Sequence, residues 1–191
     1  DLTTQRFKTL LQGNVDAIYF NEKLYIGKRE EVFVYNESTG NFDLYYHLAG
    51  KDITLSCLHL DEKKNLWMGT TSNGLYCLSG DKKISQPVTR GNIASIYEDS
   101  SKELWICTWE EGLYRIKTDS TIENFRHDPK NPNSICTDFV RSCCEDNAGN
   151  LWIGTFHGLN RYEKSTGKFQ LYTANANKPD GLTHSSIWCI V

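Results

Sequence analysis

The sequence predicts an all-β protein of the β-propeller class. Three observations predict it: a five-residue segment that recurs four times, four short apolar runs in each recurring unit, and a composition of strand and turn formers. The segments are Leu24-Tyr25-Ile26-Gly27-Lys28, Leu66-Trp67-Met68-Gly69-Thr70, Leu104-Trp105-Ile106-Cys107-Thr108 and Leu151-Trp152-Ile153-Gly154-Thr155, with aromatic residues 42, 38 and 47 positions apart. A period of about 40 to 50 residues with four strands per unit is that of propeller blades, which bury both faces of each sheet by radial stacking. Among the 191 residues, 14 Gly, 10 Tyr, 8 Phe and 5 Trp stand against 4 Pro and 1 Met, which suits pleated strands joined by tight turns.

The fourth unit shows its strands most plainly, at about Phe139 to Cys144, Asn150 to Thr155, Gly158 to Tyr162 and Lys168 to Tyr172. Their connections are short enough for antiparallel neighbours. In Asp146-Asn147-Ala148-Gly149-Asn150 the Asp accepts backbone N–H groups across a tight turn and the Gly takes a positive φ, which closes the first hairpin. Asp61, Asp99 and Asp146 each stand six residues before Trp67, Trp105 and Trp152, so they belong to the repeat, and Tyr25 takes the aromatic place in the first unit. These aromatic residues are expected to pack between blades. Gly27, Gly69 and Gly154 are expected to admit a neighbouring backbone closely, and Cys107 in the same place implies a slightly wider contact. Ser-Thr-Gly at 38–40 and 165–167 supplies the last turn.

Blades are therefore expected near 15–46, 55–85, 92–125 and 138–172. Residues 6–10 resemble a closing strand and 186–191 an opening one, so the chain reads as a fragment of a larger propeller, with partial blades at both ends and more blades on at least one side.

The charge excludes some function classes. Twenty-one basic and 24 acidic residues are interspersed to a net charge of −3, which gives no field for nucleic acid or an anionic membrane. No apolar run is long enough to span a bilayer, so a membrane is expected only through flanking segments that are absent here. The seven cysteines form no C-x-x-C pair and mostly occupy strand positions, which reads as buried free thiols without a metal or cofactor. The five histidines show no ligand spacing, no Gly-x-Ser-x-Gly elbow is present, and the paired acids Glu98-Asp99 and Glu145-Asp146 recur in one turn, so no catalytic residue is assigned.

Functional residues are expected where units differ. The loop after the second strand does: Arg29-Glu30-Glu31, Thr71-Ser72-Asn73, Trp109-Glu110-Glu111 and Phe156-His157. In propellers these loops surround the channel mouth. Trp109 and Phe156 could stack on a sugar ring, with Arg29, Asn73, Glu110, Glu111 and His157 hydrogen-bonding hydroxyls or a uronate.

The formula Ile-x-x-Ile-x-Glu-Asp, a turn, Gly-Asn-Leu-Trp-Ile-Gly-Thr and Gly-Leu-x-Arg-Tyr, best kept in Val140 to Tyr162, resembles the two-component regulator propeller repeat. The resemblance implies the periplasmic, extracytoplasmic sensor of a hybrid two-component protein, in which sensor, membrane span, histidine kinase and response regulator share one chain. It also implies an oligosaccharide or other glycan breakdown product as ligand. Exposed strand edges imply self-association, as in a homodimer. A propeller enzyme, such as a polysaccharide lyase or glycosidase, and a protein-binding scaffold are the rival readings.

Overall fold

The computed structural model describes residues 15–50, 52–81, 83–86, 88–175 and 181–190. They form four antiparallel sheets of four strands, each in simple sequential order. The first holds β1 (Ala17–Asn21), β2 (Lys23–Lys28), β3 (Glu31–Asn36) and β4 (Asn41–His47). The second holds β5 (Leu55–Leu60), β6 (Leu66–Thr70), β7 (Leu75–Leu78) and β8 (Ile84–Ser85). The third holds β9 (Ile93–Glu98), β10 (Leu104–Thr108), β11 (Leu113–Ile116) and β12 (Ile122–Phe125). The fourth holds β13 (Val140–Glu145), β14 (Leu151–Thr155), β15 (Gly158–Glu163) and β16 (Lys168–Tyr172). Successive sheets meet through their first strands, β1 on β5, β5 on β9 and β9 on β13, so the sheets fan outward from a common axis.

Apolar residues of each unit alternate so that both faces of a sheet supply a seam. Between sheets 1 and 2 lie Tyr25, Val32, Leu55, Leu58 and Met68. Between sheets 2 and 3 lie Trp67, Leu75, Ile93 and Ile106. Between sheets 3 and 4 lie Trp105, Leu113, Val140, Ile153 and Tyr162. The Trp105 ring is fully buried and packs on Phe125 and Tyr162 at centroid distances of 5.9 and 5.5 Å.

The six-residue interval between Asp and Trp has a through-space cause. Trp67, Trp105 and Trp152 each donate Nε1–H to the carboxylate six residues earlier, at 2.9, 2.8 and 2.8 Å. The other carboxylate oxygen accepts the backbone N–H of Asn65, Glu103 or Asn150 at 2.8, 3.0 and 2.9 Å. One side chain thus closes the hairpin and fixes the indole. The first unit lacks this acid: its hairpin pairs Asn21 with Lys23 around Glu22, whose φ is 57°, and Tyr19 donates instead to the Leu60 carbonyl across the seam at 3.1 Å.

The small residue after the recurring aromatic meets a side chain where a backbone was expected. A Cβ on Gly69 would fall 2.8 Å from Ile93 Cγ2, on Gly27 3.0 Å from Leu55 Cδ1, and on Gly154 2.8 Å from Ile187 Cγ2. Each neighbour is the opening residue of the next unit. Cys107 occupies the same place in the third unit, where the next unit opens on the shorter Val140. The Cys107 thiol lies 3.6 Å from that of Cys143.

The cysteines of the described residues are free thiols. Burial pushes the Cys57 thiol up to about 12 and that of Cys77 to about 11. Cys189, by contrast with the expected burial, is exposed.

The strand expected at 6–10 lies outside the described residues. Over 186–190 no strand forms, because no described segment runs beside it in a ladder. Ile187 is nonetheless seated on sheet 4, its N–H donating to the Thr155 carbonyl at 2.9 Å. Leu55 makes the corresponding bond to the Arg29 carbonyl, also at 2.9 Å.

Candidate functional site

The strand register defines one position in each unit that faces the axis. Ala17, Cys57, Ser95 and Ser142 pair with Gly27, Gly69, Cys107 and Gly154. The residue just before each is Asp16, Ser56, Ala94 or Arg141. All four, with Trp188 from the segment after β16, line one cavity of about 400 Å³ at the mouth of the axis. Thr71 and Trp109, from the loops after β6 and β10, complete its rim.

Local chemistry makes these loops rigid. Thr70, Thr108 and Thr155 end the second strand of their units, and each hydroxyl donates to the carbonyl of Gly74, Gly112 or Gly158 at 2.8, 2.7 and 2.7 Å. The same oxygens accept the N–H of Asn73, Glu111 and His157 at 2.9, 3.0 and 3.2 Å. Gly74 and Gly112 sit at a φ of 79°, with the Thr89 and Phe125 carbonyl oxygens where a side chain would stand. The threonine is the repeat's own loop clamp, and its recurrence after the small residue is the signal that marks it.

Around the cavity the aromatic side chains form a cluster. Trp109 contacts Phe156 edge-on at 5.7 Å, and Phe156 contacts Phe139 at 5.9 Å and Trp188 at 6.3 Å. The Arg141 guanidinium carbon lies over three rings, 4.5 Å from the Trp109 centroid, 4.1 Å from Phe156 and 3.4 Å from Trp188. Asp16 lies at the opposite side of the series, where its carboxylate accepts the Arg29 N–H at 2.6 Å. The cavity therefore carries a cation from the fourth unit and an anion from the first, with Ser56, Asn92 and Thr71 between them.

Of the residues expected from the loop pattern, Trp109 lines this cavity and Phe156 supports it from behind Arg141. Arg29 contributes its backbone N–H, with its side chain exposed. Glu111 is engaged elsewhere, accepting hydrogen bonds from Thr89 Oγ1 and, at 3.0 Å, from the Tyr114 hydroxyl. The Glu110 carbonyl accepts from Arg126 at 3.1 Å, the Asn73 carbonyl accepts from Gln86, and His157 projects into solvent. Asp16, Ser56, Asn92, Arg141 and Trp188 were not expected. The signal that finds all of them but Asn92 is the criterion already applied to the loops, since the axis-facing position also differs in every unit. Among the described residues no group of three or more His, Cys, Asp or Glu side chains is placed to hold a metal ion, and no helix is long and apolar enough to cross a membrane.

Residues 134–157, which span β13 and β14, match the family model described as the two component regulator propeller. A search of curated proteins found no match. Among solved structures, the chain is similar to the extracellular domain of a putative hybrid two component system from B. thetaiotaomicron. Identity is 26% over 81% of this chain and 21% of that chain, at a TM-score of 0.65. A second such extracellular domain from B. thetaiotaomicron shares 22% identity over 84% of this chain and 22% of that one, with a TM-score of 0.64. Virginiamycin B lyase from Staphylococcus aureus shares 17% identity over 85% of this chain and 56% of that chain, with a TM-score of 0.67. The chain thus spans little more than half of the lyase and about a fifth of each extracellular domain. The four sheets and these likenesses agree on an all-β propeller.

Proposed function

We propose that this chain is part of the extracytoplasmic, periplasmic sensor of a hybrid two-component signalling protein, and that it takes a glycan-derived ligand and biases a downstream histidine kinase. The observation that carries the reading is the regulator propeller repeat at 134–157 together with the 26% identity to an extracellular domain of that class. The site supports it in kind: a concave mouth with an indole on its rim and several hydroxyl and amide groups is suited to a sugar ring. Signalling then requires that the ligand bind one receptor state more tightly than another.

Calorimetric titration of the protein with a panel of plant and host oligosaccharides tests the reading. We expect saturable binding to at least one of them, weakened at least tenfold by Trp109→Ala, and ligand-dependent kinase phosphorylation when the sensor is intact. Turnover of an oligosaccharide without any effect on kinase phosphorylation would favour the enzyme reading and overturn this one.

A further inference from the structure

Arg141 is 8% exposed, and its Nε has no hydrogen-bond partner. Among the described residues no carboxylate pairs with it, although ion pairs hold Arg115 to Glu103 and Arg126 to Asp138. Burying a guanidinium donor without an acceptor is costly. The three surrounding rings recover part of that cost through cation–π contact. Stacking engages the faces of the planar group and leaves its N–H donors, which lie in the plane, free for a bidentate oxyanion. Arg141 also lines the cavity at the axis. We infer that Arg141 is an anion-binding residue, and that the cavity takes a sugar ligand through a carboxylate or sulfate group on that ligand.

The rest of the cavity fits such a molecule. Asp16 is its one carboxylate among the lining residues, and it is turned toward the Arg29 amide. An acidic group placed there would be repelled, whereas a sugar hydroxyl would donate to it. The two ends thus set one orientation: acid group on Arg141, hydroxyls toward Asp16, ring beside Trp109. A cavity of about 400 Å³ holds one or two sugar residues. The inference rests on the sensor reading only for the word sugar; the oxyanion site stands without it.

The test reads the guanidinium directly. The protein labelled with ¹⁵N arginine is titrated with sodium sulfate, acetate and glucuronate, with sodium chloride at matched ionic strength and glucose as controls. The expected result is a saturable shift of the Arg141 Nε–H resonance with sulfate or glucuronate beyond the chloride control. Glucuronate should bind at least fivefold more tightly than acetate. Arg141→Lys should keep weakened binding and Arg141→Met should lose it, followed by intrinsic tryptophan fluorescence. Because either variant could perturb folding, the wild-type resonance is the deciding observation. No shift beyond chloride with any of the three anions overturns the inference. A response to glucose equal to that to glucuronate overturns it too while leaving the sugar reading standing. A shift with sulfate and acetate but none with either sugar keeps the oxyanion site and counts against the sugar reading.

Discussion

Asp99 shows how much one side chain carries in this architecture. It is 2% exposed, accepts from Trp105 Nε1 at 2.8 Å and from the Ser101 and Glu103 amides at 2.9 and 3.0 Å, and pairs with Lys164 of the next sheet at 2.8 Å. Burial pushes its carboxyl up, but the bonds from Lys164, Trp105 and Glu103 outweigh burial and hold it below its ordinary value of 3.8. Such a group stabilises the fold at pH values above 3.8, and the contribution is lost as the pH falls through the lower folded value. Asp99→Ala leaves a buried indole N–H without its acceptor and the Lys164 ammonium with Glu145 alone. It should cost about 3 kcal/mol in urea titrations at pH 7, near the lower end for breaking a buried ion pair. The urea midpoint of the unmodified protein should fall between pH 5 and pH 3, and the fall should be shallower for Asp99→Asn. An equal fall in both would assign the acid sensitivity to other carboxylates.

At the scale of strands, the seam between sheets is a match of volumes. Gly27 faces Leu55 and Gly69 faces Ile93, each a small residue against a long one. Cys107 and Val140 distribute the same space differently. Cys107→Gly should therefore open a cavity and Val140→Ile should crowd the thiol, each at a cost of about 1 to 2 kcal/mol. The double variant should recover most of the loss, so a thermodynamic cycle would show coupling of roughly 1 kcal/mol or more. Additive losses would mean that the two side chains do not share that space. This pairing explains what the sequence could and could not show. Strand alternation, the Ser-Thr-Gly turns and the Asp-to-Trp interval are local, so the four units are readable from residues close in the chain. The partner of Gly69 is in the next unit, 24 residues on, and only the way the sheets fan settles whether backbone or side chain fills the gap. The cavity was still less legible. Asp16, Ser56 and Arg141 stand at the first strands of their own units and Trp188 in the segment after β16, and they become one site only around the axis.

For the whole molecule, the two ends of the stack differ from its middle. In sheet 2, Leu58 and Leu60 face sheet 1 and are buried. Ile18 and Phe20 hold the corresponding places in sheet 1 and are 68% and 72% exposed, with Leu44 of the same sheet 55% exposed. An apolar sheet face of this kind is a surface for association. We expect the 191-residue chain to associate with concentration in sedimentation velocity experiments, and Ile18→Lys with Phe20→Lys to shift it toward monomer without lowering its melting temperature. Association unchanged by that pair would place the contact elsewhere, for instance on exposed Trp188 and Phe139.

The volume match at the seams bears on how such a chain could gain or lose units. Excising the second unit would set Gly27 against Ile93 in place of Leu55, an isomer of equal size, and the join would close. Excising the third would set Gly69 against Val140, one methylene short of Ile93, and leave a scar in the packing. Duplication and deletion are therefore not equivalent along the sequence: the boundary at Cys107 and Val140 is inherited as a pair, and a recombination event that separates the two leaves a mismatch for later substitution to repair.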